Sequence, residues 1–90
     1  MIKGKTSTGF NYEFNSVVMK DARFIEKLAA LSDEDLSGLT YILNAILGEK
    51  QKEKLYDHVA KSDSDHIANI KTVIAEITEM IQAAGEEEKK

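Results

Sequence analysis

Polar and apolar residues alternate along the first stretch of the chain and then settle into a helical rhythm. Ile2, Gly4 and Thr6 alternate with Lys3 and Lys5; beyond Ser7-Thr8-Gly9, Phe10, Tyr12 and Phe14 alternate with Asn11, Glu13 and Asn15. Period-two alternation on either side of a glycine-containing turn predicts a β-hairpin over about residues 2–14. Its three aromatic rings share one face, because successive strand side chains point to opposite sides. A two-stranded hairpin is marginal alone in water, so that face predicts helices to pack against.

Four amphipathic segments follow. Phe24, Ile25, Leu28 and Leu31 recur at helical spacing, predicting a helix over about 17–31 with Asn15 or Ser16 as its cap. Ser32 ends that run and offers an N-cap to a second helix of about 33–47. Asp33, Glu34 and Asp35 would fill its positively polarised first turn, and Leu36, Leu39, Ile42, Leu43, Ile46 and Leu47 form its stripe. Gly48 stands where a helix C-terminus favours a left-handed residue. A third helix, about 49–61, carries Leu55, Tyr56 and Val59. Asp63, Ser64 and Asp65 offer caps to a fourth, about 65–84. There Ile67, Ile70, Ile74, Ile77, Ile81 and Ala84 step by three and four residues, and Val73 and Met80 broaden the stripe. Gly85 is expected to end it, leaving residues 86–90 as a charged, disordered tail. The fold class is therefore mainly α, of α+β type: an N-terminal β-hairpin packed on a small bundle of about four helices, in one globular domain over residues 1–85.

Composition narrows the function more than the fold. The chain has 90 residues, 42% hydrophobic and 31% charged, which suits one globular domain with a modest core rather than a disordered chain. Its net charge is −4, with acid and base mixed along the sequence, so no basic nucleic-acid face is expected. Cysteine is absent, which excludes disulfides, a thiolate nucleophile and a thiolate zinc site, and fits a reducing cytoplasm. No apolar run approaches the roughly 18–20 residues that span a bilayer. The opening MIKGKTSTGF lacks the apolar region of a secretory signal.

Several stretches invite a chemical reading. DEDLSGLTYILN, residues 33–44, opens like a calcium-binding EF-hand loop, with Asp33, Asp35 and Ser37 alternating and Gly38 in the sixth place. Its twelfth place, which needs a bidentate glutamate, is Asn44, and the intervening residues suit a helix interior; a capped helix start is the better reading. SDSDHI, residues 62–67, contains Ser, Asp and His, but a triad is assembled from separated elements and no G-x-S-x-G elbow is present; helix capping is expected instead. His58 and His66 are the only histidines, and their spacing across a break does not make a metal pair. Phe10, Tyr12 and Phe14 could stack bases, yet alternation puts Lys3 and Lys5 on the other strand face, so the rings are expected in the core. No catalytic residue, cofactor or metal site is expected.

The fourth helix offers the most suggestive surface. Ile67, Ile70, Ile74, Ile77 and Ile81 form a candidate partner-binding seam, with Lys71, Glu76 and Glu79 alongside. The stepping matches a short heptad seam compatible with weak homo-oligomers, although packing inside the domain competes for the same side chains.

The stretches IKGKTSTGFNYEF, DARFIEKLAAL, LSGLTYILNAILGEKQKEKLYDHV and ITEMIQAAG follow one another in an order and spacing that resembles the small tail assembly chaperones of long-tailed phages and prophages of Gram-positive bacteria. LNAILGEKQKEKLYDHV, a Leu-rich helix, a Gly stop, a charged turn and Leu-Tyr, is the most specific piece. The resemblance implies a non-catalytic protein of the host-cell cytoplasm, absent from the mature virion. It implies binding to the tape measure protein, assistance to tail tube polymerisation and contact with the tail tube protein. It also implies a longer frameshifted form of the chain as a partner; GEEEKK is compatible with a slippery run in its codons. Neither nucleic acid nor membrane is an expected partner. A small regulatory or nucleic-acid-linked phage protein is the alternative.

Overall fold

The computed structural model describes residues 2–32 and 34–89. Strands β1 (Ile2–Lys5) and β2 (Asn11–Phe14) form an antiparallel hairpin, followed by a 3-10 helix (Ser16–Lys20) and helices α1 (Ala22–Ala30), α2 (Leu39–Ile46), α3 (Gly48–Ser62) and α4 (Ile70–Lys89). The architecture is the expected hairpin on a small helical bundle.

Hairpin register places Ile2 opposite Phe14 and Gly4 opposite Tyr12 on one face, Lys3 opposite Glu13 and Lys5 opposite Asn11 on the other. Thr6 N–H donates to Phe10 O, Gly9 N–H donates to Thr6 O, and Gly9 closes the turn at φ +95°, a conformation that glycine adopts without a Cβ penalty. Phe10, Tyr12 and Phe14 are buried as their alternation predicts. The phenol of Tyr12 lies across Gly4, where a Cβ would sit 2.5 Å from Tyr12 Oη. Gly4 is thus a docking site for an aromatic ring rather than a weak point in the strand.

Phe10, Tyr12 and Phe14 form one core with Phe24 of α1, Leu39, Ile42, Leu43 and Ile46 of α2, Leu55 and Val59 of α3, and Val73, Ile77, Met80 and Ala84 of α4. Burying side chains such as Phe14 and Phe24, both 0% exposed, stabilises the fold by about 1.5–3 kcal/mol each before conformational entropy is charged against it.

Several helix boundaries differ from the sequence expectation, each for a local reason. The expected helix over 17–31 is divided. Asn15 makes no side-chain cap; its N–H instead donates to Ile46 O, tying the hairpin to the end of α2. Asp21, in extended conformation, breaks the chain after the 3-10 turn and caps α1 by accepting from Arg23 N–H. The expected helix over 33–47 begins only at Leu39. Ser32 Oγ does accept from the N–H groups of Glu34 and Asp35, but Asp35 Oδ1 then accepts from both the N–H and the hydroxyl of Ser37. Such side-chain bonds offer the backbone an alternative to helix. Glu34 and Asp35 therefore precede α2 rather than filling its first turn; Asp33 lies outside the described residues. Gly38 is buried, and a Cβ there would lie 3.3 Å from Lys27 Cδ, so the loop presses this glycine against α1.

The α2–α3 junction fits its sequence signal closely. Gly48 has φ +79°, and the chain turns from one helix into the next without a linker. Helix α4 starts five residues later than the expected 65, at Ile70, because Asn69 provides the cap: its Oδ1 accepts from Lys71 N–H. Asp63 instead holds a loop, accepting from the N–H groups of Asp65 and Ile67. Gly85 does not end α4, which continues to Lys89 through the segment expected as a disordered tail; Lys90 lies outside the described residues. A single glycine costs a helix only about 1 kcal/mol and cannot stop one by itself.

Candidate functional site: the faces of helix α4

Helix α4 carries two apolar stripes side by side. Val73, Ile77, Met80 and Ala84 form the stripe that meets the core. At 3.6 residues per turn, Ile70, Ile74 and Ile81 fall on one flank of it. The structure therefore divides the candidate seam. Ile77 is buried at 1% exposure, Ile74 and Ile81 are half-buried, and Ile70 is 40% exposed at the start of the helix. Ile67 lies in the loop before α4 and is 54% exposed, so it belongs to no helical seam. What remains is an apolar flank of Ile70, Ile74 and Ile81.

The opposite flank is polar and holds the hairpin turn. Glu79 accepts from Ser7 N–H at 2.7 Å and from the Ser7 hydroxyl at 3.1 Å. Glu76, 3% exposed, accepts from the Thr8 hydroxyl through Oε1. Neither glutamate rims the isoleucines, as their sequence positions had implied; both latch the hairpin turn to α4. Thr8 Oγ1 also lies 3.0 Å from His58 Nε2 and 3.1 Å from Thr6 Oγ1, while Thr6 Oγ1 accepts from Phe10 N–H. A hydroxyl has one proton to give. With that proton on the bond to Glu76, His58 presents Nε2–H to Thr8 and the Thr6 hydroxyl donates to it as well. The His58 ring also tilts against Phe10, with centroids 5.4 Å apart. One oxygen is left over: Glu76 Oε2 is buried with no hydrogen-bond partner. Burial pushes the Tyr12 phenol above the ordinary tyrosine value, and the Glu79 carboxylate adds to the rise.

Sequence reasoning did not find this latch. A signal was present: Glu76 lies three residues after Val73 and four before Met80, at the edge of the buried stripe, where an unpaired carboxylate is costly.

A second concave feature lies between the outer face of the hairpin and the start of α3. This groove of about 540 Å³ is lined by Lys3, Gly4, Asn11, Tyr12, Glu13, Lys50, Gln51 and Lys54. Lys3 and Glu13 pair across the strands at 3.8 Å. Gln51 grips the outer edge of β2: its Oε1 accepts from Glu13 N–H, and its Nε2 donates to Glu13 O and to Leu47 O.

The remaining candidates have structural roles. Asp35 lies in the turn with Ser37, whose hydrogen bonds hold its carboxyl below the usual range. Among the described residues, no group of three or more His, Cys, Asp or Glu side chains could hold a metal ion. His66 sits in the loop before α4 at φ +58° and donates its N–H to Asp63 O, whereas His58 belongs to the latch. Among the described residues, no helix is long and apolar enough to cross a membrane. Comparison of the chain with protein-family models, curated proteins and solved structures finds no match.

Proposed function

We propose that the chain is a non-catalytic tail assembly chaperone of a long-tailed phage or prophage, acting in the bacterial cytoplasm on the tape measure protein while the tail tube polymerises. The observation that carries this reading is the partly exposed apolar flank of α4: Ile70 is open, and Ile74 and Ile81 are half-buried, with Ile81 packed against the core edge and Lys71 and Thr78 bordering the three. An amphipathic helix binds through apolar residues at such spacing, and tape measure proteins of the family resembled are long and rich in such helices. The order of the four sequence stretches supports the same assignment. A net charge of −4 favours keeping an apolar client dispersed.

Genome context tests the proposal. A tail tube gene upstream and a very long open reading frame downstream are expected, with a slippery codon run near the end of this gene. A neighbourhood of regulatory or DNA-processing genes would overturn the chaperone reading and favour a regulatory protein.

A further inference from the structure

We propose that the groove between β2 and α3 is a docking site for an extended acidic segment of a protein partner, a surface separate from the isoleucine flank. The argument starts from the hairpin ladder. Thr6 N–H bonds to Phe10 O, so the paired positions of an antiparallel ladder are Thr6 with Phe10, Gly4 with Tyr12 and Ile2 with Phe14. The intervening residues turn their N–H and C=O groups outward. On β2 these are Asn11 and Glu13, with Asn15 just beyond. Asn15 N–H is taken by Ile46 O, and both groups of Glu13 are taken by the Gln51 amide. Gln51 thus accepts and donates at one residue, as a neighbouring strand would. Two residues along, the N–H and C=O of Asn11 face the groove with no protein partner among the described residues.

Charge then selects the occupant. Lys50 and Lys54 lie one turn apart on the face of α3 that lines the groove, both exposed, and neither has a carboxylate within ion-pair distance among the described residues. Lys3 closes the opposite wall, paired with Glu13. Positive charge is therefore concentrated at one concavity of a chain whose net charge is −4. The volume, about 540 Å³, suits a few residues of peptide. An extended segment can bond its main chain to Asn11 and set carboxylates against Lys50 and Lys54, a mode in which the strand edge supplies affinity and the flanking side chains supply specificity. A second copy of β1 fits poorly, because its own lysines would meet this rim.

The test is a heteronuclear NMR titration of the full chain with a short blocked peptide alternating glutamate and valine. A peptide with glutamine for glutamate and inorganic phosphate at matched ionic strength serve as comparisons. Chemical-shift changes centred on Asn11, Lys50 and Lys54, slowed exchange of the Asn11 amide, and about a tenfold weaker affinity in Lys50→Gln/Lys54→Gln are expected. Both lysines are exposed, so the variant keeps its fold, checked by its unchanged spectrum elsewhere. The proposal is overturned if no peptide binds, if the glutamine peptide binds equally well, if the double variant binds as the parent does, or if phosphate reproduces the same shifts without protecting the Asn11 amide. None of these outcomes bears on tape measure binding by α4.

Discussion

Gly4 is where the structure makes its sharpest energetic claim about the hairpin. Its φ is not positive, so alanine meets no backbone strain, and on local propensity alone Gly4→Ala should strengthen a strand by about 0.5–1 kcal/mol. The surroundings reverse that sign. A Cβ at position 4 would lie 2.5 Å from Tyr12 Oη, 2.7 Å from Cζ and 3.1 Å from Cε1. Favourable carbon contacts need about 3.5–4.0 Å, so the ring must withdraw by about 1 Å. A phenol ring cannot bend away at its tip; it swings as a unit, and Tyr12 is only 7% exposed. Forcing an extra methyl into such packing costs about 1–3 kcal/mol. After the propensity gain, a net loss of about 1 kcal/mol remains, which in a domain of this size lowers Tm by roughly 4–8 °C. Thermal melts followed by circular dichroism would measure it. The decisive control is the same substitution in a Tyr12→Ala background, where the clash is gone and Gly4→Ala should be neutral or stabilising. Additive effects, or a single variant that melts higher than the parent, would refute the account of how the hairpin docks.

Other substitutions and one pH change test the remaining assignments. Thr8→Val removes the hydroxyl that serves Glu76, His58 and Thr6 together; leaving a buried carboxylate unsatisfied should cost about 2–3 kcal/mol in denaturant unfolding. Glu76→Met removes the buried charge and its orphan oxygen at similar volume, so it should cost less than Thr8→Val or even stabilise; the reverse order would contradict the latch. Ile77→Glu should abolish cooperative folding, because its side chain is buried, whereas Ile70→Glu, at an exposed position, should fold with Tm within a few degrees of the parent. Burial, aided by Glu79 at Tyr12 and by Glu53 at Tyr56, raises both phenols. Stability is then full below the ordinary tyrosine pKa of about 10 and falls as pH rises through the higher folded values. Phenolate absorbance from these two residues should reach its midpoint above that value, and a midpoint at pH about 10 in a still-folded protein would contradict their burial.

The parts of this fold that sequence makes legible are those where local signals and packing agree. Phe10, Tyr12 and Phe14 alternate, and the same face is buried; Gly48 follows a helical stripe and adopts the left-handed conformation such an end requires. Helix starts are less legible because several residues compete to cap. Ser32 and Asp63 both make the expected side-chain bonds to backbone, yet the helices begin after them, at Leu39 and Ile70. The isoleucine seam is divided for a different reason. Ile70, Ile74, Ile77 and Ile81 step correctly, but so do Val73, Ile77, Met80 and Ala84. Periodicity identifies both stripes and cannot say which one the hairpin and α3 will cover. Glu76 follows the same logic: its burial depends on Thr8, a residue 68 positions away in sequence, and no local pattern announces that pairing.

The central proposal is that the flank of α4 shields an apolar helical client. The most direct measurement is the soluble yield of a fragment of the proposed client, the long protein expected from the downstream gene, expressed alone, with this chain, and with the exposed-site variant Ile70→Glu, its fold checked by circular dichroism. The parent chain should bring the fragment into the soluble fraction and co-purify with it, and the variant should lose both effects. A fragment equally insoluble in all three conditions, or rescued equally by the variant, would contradict the claim.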